Sequence, residues 1–151
     1  MTAMITRRTA LALGGAAIVT GIVGLPATPA WSAETDDRIN EFAGGTAPQE
    51  GRVSIDAPEI AENGNTVPVG ISVESPMTSE DYVESVLILA DGNPRPGVAT
   101  FHFSPMSGEA TAQTRMRLAK TQDVVALAKM SDGSVYMSRR TVKVTIGGCG
   151  G

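Results

Sequence analysis

The chain has 151 residues, a length that suits a single domain, and its net charge is −4 at pH 7. This acidic balance argues against nucleic acid and anionic membrane surfaces as partners. The sequence contains one histidine and one cysteine. A zinc site or an internal disulfide built from this chain alone is therefore excluded.

The first 33 residues predict an export signal that is removed. Arg7 and Arg8 form a twin-arginine pair, and no charged residue lies between positions 9 and 33. The segment ATPAWSA at 27–33 offers a cleavage site, which we place between residues 30 and 33. Glycines interrupt the apolar run, so it predicts a signal and not a membrane anchor. The paired arginines favour the Tat route; an ordinary Sec signal is the alternative, and both routes export the protein.

Removal of the signal makes the protein more acidic. Without Arg7 and Arg8, the 12 basic residues fall to 10 against 16 acidic ones, a net charge of −6. About 120 residues remain, enough for one two-layer core. A lone cysteine in an oxidising compartment then indicates either an intermolecular bond or a reactive thiol.

The segment TDDRINEFAGG at 35–45 predicts a short helix. Thr35 or Asp36 can cap its first turn, and apolar residues at 39, 42 and 43 share one face. Gly44 supplies the left-handed residue that ends such a helix. We therefore assign residues 34–51 to a short helix followed by a linker.

From Arg52 onward the apolar residues recur with a period of two, which predicts β-strands. Seven segments show this pattern or a buried apolar run: 53–55, 66–74, 82–92, 98–103, 111–119, 123–130 and 134–146. Pro68 suggests that the second of them is an edge strand. Ser131-Asp132-Gly133 predicts a hairpin between the last two. Residues 52–146 should form an all-β, immunoglobulin-like antiparallel sandwich of about seven strands.

The body of this sandwich offers little chemistry. His102 alternates with two phenylalanines and should face away from them, as a surface residue. Asp56, Glu59 and Glu62 could bind a cation or serve as acid and base, but they show no ligand spacing such as that of an EF-hand loop, so a solvated loop is the better interpretation. We expect no catalytic residue, cofactor or metal in this domain.

The last five residues, 147–151, are GGCGG. The preceding strand should point Val142, Val144 and Ile146 inward and so anchor the segment. Five extended residues reach roughly 16 Å, and glycine allows many backbone conformations. Cys149 therefore sits near the tip of a predicted thin, flexible arm. A conjugation scar, a lipid anchor and an incidental disordered end are the alternatives; prenylation needs three residues after the cysteine, and two follow it here.

Several motifs together resemble one family. They are the twin-arginine leader, PEIAENGNTVPV, SPMT, ADGNPRPGVATFHFSP, RLAKTQDVVALAKMSDGS and the terminal VKVTIGGCGG. This combination resembles the SoxY family, the carrier subunits of the bacterial sulfur-oxidation (Sox) system that oxidises thiosulfate. The resemblance covers essentially the whole chain.

The resemblance implies a periplasmic, non-catalytic carrier that pairs with a SoxZ-like subunit. Cys149 is then the attachment point for thiosulfate-derived sulfur, and Gly147, Gly148, Gly150 and Gly151 are its flexible flanks. A c-type haem enzyme joins thiosulfate to the thiol as an S-thiosulfonate, and a dimanganese hydrolase releases sulfate. A sulfane dehydrogenase oxidises the remaining persulfide sulfur. The redox and metal centres belong to these partners.

Three other functions remain open. The protein could be an exported thiol oxidoreductase with Cys149 as nucleophile, although it lacks a resolving cysteine and a positioned base. It could be an interaction protein that forms a permanent disulfide through Cys149. A ubiquitin-like sulfur carrier activated at Gly150-Gly151 would need ATP and a helix between strands, and the sequence predicts no such helix after Arg52.

Overall fold

The computed structural model describes residues 32–148. The predicted export signal with Arg7 and Arg8, and the tail residues Cys149, Gly150 and Gly151, lie outside the described residues. Within 32–148, no helix is long and apolar enough to cross a membrane.

Helix α1, Ala33–Ala43, precedes nine strands. The strands are β1 (Gln49–Glu50), β2 (Val53–Asp56), β3 (Ile60–Ala61), β4 (Val67–Val73), β5 (Val83–Ala90), β6 (Gly97–His102), β7 (Ala110–Met116), β8 (Gln122–Met130) and β9 (Val135–Val144). A 3₁₀ turn at Pro105–Ser107 lies between β6 and β7.

The strands form two sheets that pack as a sandwich. One has the order β1-β9-β8-β5-β6, with β3 also paired to β9; the other has the order β2-β4-β7. The prediction of an immunoglobulin-like β-sandwich with a short N-terminal helix is confirmed, and each of the seven predicted strands is present. Sequence reasoning missed β1 and β3, which run parallel to β9. Two residues are too few to show an alternating pattern.

The six-stranded sheet is buried on both faces along its central strands β5 and β8. Its inner face packs against the three-stranded sheet, whose buried residues include Val67 and Val69. On its outer face, Ile39 and Ala43 of helix α1 pack in one cluster with Leu127 and its neighbours. Burial on both faces explains why β5 and β8 are nearly continuous apolar runs and not alternating ones.

The start of helix α1 differs from the prediction. The N-cap is Ser32, whose side chain accepts a hydrogen bond from the Thr35 backbone N–H, so Thr35 and Asp36 lie inside the helix. Thr35 is fully buried. The pattern of apolar residues in this helix did not predict that burial. The predicted end is confirmed, because Gly44 adopts the left-handed conformation with φ 61°.

The prediction of an edge strand from Pro68 is wrong, because β4 pairs with both β2 and β7. The local reasoning still applies to the proline itself. Strand β2 pairs only with residues 70–73 of β4, so Pro68 lies beyond the end of β2 and meets only Arg115 of β7. A proline is tolerated there because it needs no hydrogen-bond partner on its open side.

Candidate functional site at the base of the C-terminal arm

Strand β9 leads directly toward Cys149, and the residues 145–148 that follow it are here called the arm base. Val142 is buried and Val144 is partly buried, as predicted. The prediction for Ile146 is wrong, since its side chain is 66% exposed and β9 already ends at Val144. The backbone leaves the strand direction after Val144, so the inward alternation stops two residues early.

One side of the arm base is bonded to the segment around β3. The Lys143 N–H donates to the Glu59 carbonyl at 2.9 Å, and the Thr145 N–H donates to the Ala61 carbonyl at 3.1 Å. The Thr145 hydroxyl also donates to the Glu62 carbonyl at 2.8 Å. This ladder therefore continues the parallel β3–β9 pairing beyond the end of the strand.

The same side closes with Gly64. Its N–H donates to the Ile146 carbonyl at 2.7 Å. The turn that presents Gly64 is fixed locally, because the Asn63 side chain accepts a hydrogen bond from the Asn65 N–H at 2.9 Å. Sequence reasoning interpreted this ENGN stretch only as a solvated loop.

The other side of the arm base is bonded to the loop 117–121. The Gly148 N–H donates to the Leu118 carbonyl at 2.9 Å, and the Leu118 N–H donates to the Gly64 carbonyl at 2.8 Å. Gly148 is buried and Leu118 is fully buried. Three segments that are distant in sequence therefore meet through their backbones at this point.

Asn93 and Gln122 hold the loop 117–121 in place. The Asn93 side chain donates to the Arg117 carbonyl at 2.7 Å and accepts from the Ala119 N–H at 2.9 Å. Gln122 is only 7% exposed, and its side chain donates to the Asn93 side-chain oxygen at 2.9 Å. Because both amides are engaged, the loop against which the arm base lies is fixed by more than one contact.

Basic side chains lie on β9 shortly before the arm base. Arg140 and Lys143 line a surface depression of ≈350 Å³ together with Glu59 and Ile60. The Nε of Arg140 is buried and has no hydrogen-bond partner within residues 32–148. Two positive charges and one negative charge therefore line this depression beside β3 and β9.

The predicted site residues fall into two groups. Cys149, Gly150 and Gly151 lie outside the described residues, so their placement stays a prediction. Gly147 and Gly148 are described, and in this conformation Gly148 is buried and hydrogen-bonded. Their role as flexible flanks also stays a prediction.

His102 and the acidic residues Asp56, Glu59 and Glu62 are the other described residues that the sequence singled out. His102 is exposed. In the described part of the chain, no group of three or more His, Cys, Asp or Glu side chains could hold a metal ion. Asp56 lines a surface depression of ≈530 Å³ with Gly70 and Arg115, away from Glu59 and Glu62.

Comparison with known proteins identifies a single family. The sequence model of the sulfur oxidation protein SoxY matches residues 39–149. The solved structure of the sulfur carrier protein SoxY from Chlorobium limicola f thiosulfatophilum is 36% identical, with a TM-score of 0.64, over 75% of this chain and 97% of that chain. No curated protein matches the sequence significantly.

Two superoxide reductases share the fold alone. The protein from Ignicoccus hospitalis (neelaredoxin) is 19% identical, with a TM-score of 0.56, over 62% of this chain and 80% of that chain. The protein from Nanoarchaeum equitans is 11% identical, with a TM-score of 0.54, over 64% of this chain and 99% of that chain. At these identities the likeness carries no functional argument.

Proposed function

Because the chain belongs to the SoxY family of sulfur oxidation proteins, we propose that it is a covalent carrier of thiosulfate-derived sulfur and that Cys149 is the attachment point. One observation carries the proposal: the family match runs from residue 39 to residue 149 and so ends on the only cysteine of the chain. Strand β9 and its hydrogen-bonded arm base support it, because they anchor the residue that precedes the thiol.

The carrier chemistry needs one nucleophilic sulfur and no centre of its own. The Cys149 thiolate and the outer sulfur of thiosulfate form a disulfide-type S–S bond, and two electrons pass to a c-type haem partner. Water then cleaves the bond between the outer sulfur and the sulfonate group, which leaves as sulfate, with a dimanganese hydrolase as the partner. A persulfide remains on Cys149. A sulfane dehydrogenase takes electrons from its terminal sulfur while water supplies the oxygen, which gives an S-sulfonate, and hydrolysis of that S–S bond frees the thiol as sulfate leaves.

The partners follow from the same proposal. A SoxZ-like subunit completes a heterodimer, and the three enzymes bind the arm in turn. We propose that the protein works in the periplasm, after export by the Tat route through Arg7 and Arg8. The chain supplies a thiol and its placement, while redox and metal chemistry stays with the enzymes.

The test is the intact mass of the mature protein, paired with its SoxZ-like subunit, after incubation with thiosulfate and the haem enzyme. We expect a gain of one thiosulfate group that a reductant removes. The Cys149→Ser variant, treated identically, should gain nothing. An unchanged mass of the unsubstituted protein in this complete system would overturn the carrier proposal, and a permanent disulfide to another chain would favour an interaction protein.

A further inference from the structure

We propose that Gly64 is a positioning residue for the arm. Gly64, Leu118 and Gly148 together form a backbone clamp. This backbone clamp fixes the point from which the chain continues to Cys149. The role of the backbone clamp in sulfur transfer rests on the carrier function proposed above. Its geometry rests on residues 32–148 alone.

Gly64 lies between the arm base and the loop 117–121 and is hydrogen-bonded to both. Its N–H donates to the carbonyl of Ile146 on the arm base, and its carbonyl accepts from the Leu118 N–H of the loop 117–121. The Leu118 carbonyl in turn accepts from the Gly148 N–H. Every bond of this circuit joins backbone to backbone, so the loss of any one segment leaves buried polar groups without partners.

Neither Gly64 nor Gly148 has room for a side chain. A Cβ on Gly64 would lie 2.2 Å from the Leu118 carbonyl oxygen and 2.8 Å from the Gly148 nitrogen. A Cβ on Gly148 would lie 2.2 Å from the Gly64 carbonyl oxygen and 2.5 Å from the Asn65 nitrogen. Neither residue has a positive φ, so close approach of backbones, and not conformation, requires glycine at both positions.

The loop beside the arm base is held by side-chain hydrogen bonds. A Cβ on Gly147 would lie 2.2 Å from the Ala119 carbonyl oxygen. Ala119 belongs to the loop that Asn93 and Gln122 hold by side-chain hydrogen bonds. The carbonyl oxygens of Leu118 and Ala119, which would have to move, are therefore backbone atoms in a supported loop and not the ends of flexible side chains.

The consequence concerns the reach of the thiol. Adjacent Cα atoms are about 3.8 Å apart, so a closed backbone clamp holds the Cα of Cys149 within one residue of a fixed point. Release of Gly147 and Gly148 would restore the full five-residue arm, which reaches roughly 16 Å when extended. The glycines of the arm thus serve docking as well as flexibility, and Gly64 is the part of the body that receives them.

The experiment uses a nitroxide label on Cys149 in the full-length mature protein, where the sole cysteine gives a unique site. Label mobility is compared among the unsubstituted protein, Gly64→Ala, Gly148→Ala and a control, Gly97→Ala. A Cβ on Gly97 would enter open space, with nothing within 4 Å, and the residue has no positive φ. We expect the label to be more mobile in Gly64→Ala and Gly148→Ala than in the unsubstituted protein. In Gly97→Ala its mobility should be unchanged.

Hydrogen exchange gives the second readout. The Gly148 amide should exchange at least about tenfold faster in Gly64→Ala, because its hydrogen-bond acceptor is displaced. Unfolding midpoints in denaturant are measured alongside, so that a local change is separated from global loss of stability. If Gly64→Ala fails to fold, Gly148→Ala serves for the same test. Gly148 lies after the last strand, so its substitution leaves the strands of the sandwich unchanged.

Two results would overturn the proposal: label mobility that is equal in all four proteins, or a Gly148 amide that exchanges at the rate of an unfolded chain without any substitution. Neither readout involves loading with sulfur. A failed backbone clamp would therefore leave the mass test of the carrier untouched, and a protein that never accepts thiosulfate could still possess the clamp.

Discussion

The interior of the sandwich and the arm base are held together by different chemistry. In the interior, large apolar side chains such as Ile88, Leu89 and Leu127 are fully buried and fill the space between layers. At the arm base, backbones meet directly and a single added Cβ has no room. Side-chain packing tolerates exchanges of similar volume, whereas backbone contact at a glycine tolerates no added atom.

This difference assigns separate tasks to the two regions. Burial of apolar surface in the interior supplies most of the free energy of folding. The arm base adds few buried side chains, and its hydrogen bonds instead determine where the chain leaves the body. Substitutions in the interior should therefore change stability, and substitutions at the arm base should change the behaviour of Cys149.

The largest expected effect comes from Ile88→Ala. Removal of this fully buried side chain leaves a cavity, so the free energy of unfolding should fall by about 2–5 kcal/mol. Urea denaturation measures the loss, and Ile88→Val should cost only about 0.5–1.5 kcal/mol. In the folded protein, the nitroxide on Cys149 should keep its original mobility. An increase as large as that in Gly64→Ala would show that the two regions are not independent.

Sequence reasoning succeeds where side chains carry the signal. Alternating apolar residues such as Val67, Val69 and Ile71 predicted the long strands, and Gly44 predicted the end of the helix. The two-residue strands β1 and β3 show no alternation of apolar residues in the sequence. They are strands because they pair with β9, and not because of their own composition. Ile146 was misplaced because periodicity does not reveal where a strand bends away.

The candidate site could be predicted only in part. Cys149 and its flanking glycines stand out by composition, since an unpaired thiol between glycines is unusual in a protein that is predicted to be exported. Gly64 carries no such signal, because within ENGN it resembles an ordinary turn glycine. Its role depends on contacts with Leu118 and Gly148, and Gly64 and Leu118 are more than 50 residues apart in the sequence. A single sequence does not reveal contacts between such distant segments.

We expect an intermediate loss of stability from substitutions at the start of helix α1. There a side chain, that of Ser32, caps the helix, whereas the arm base is held by its backbone. Ser32→Ala removes the acceptor for the Thr35 N–H and should cost about 0.5–2 kcal/mol of unfolding free energy by thermal or urea denaturation. Ser32→Asp should restore most of it; equal losses in both variants would contradict the cap. If the predicted signal is removed, cleavage after Ser32 or Ala33 would discard this cap, so N-terminal sequencing of the mature protein should find a first residue no later than Ser32.

The smallest effect concerns the start of β9, which contrasts with its arm end. Ser134 donates two hydrogen bonds to the Asp132 carboxylate, from its hydroxyl at 2.6 Å and from its backbone N–H at 2.9 Å. These bonds, the hydroxyl first, lower the pKa of Asp132 below its ordinary value. The turn between β8 and β9 is therefore held by a titratable side chain, whereas the arm base is held by groups that do not titrate.

Because the pKa of Asp132 is lower in the folded than in the unfolded protein, its stabilisation is present above the unfolded pKa. It is lost as the pH falls through the folded pKa. Thermal unfolding from about pH 6 to about pH 2 should show a shallower decline in Asp132→Asn than in the unsubstituted protein, because asparagine keeps an acceptor without titrating. The Gly148 amide should exchange with the same protection in both proteins at each pH. A loss of protection that follows Asp132 would mean that the two ends of β9 are coupled, and that the arm base senses acid through the strand.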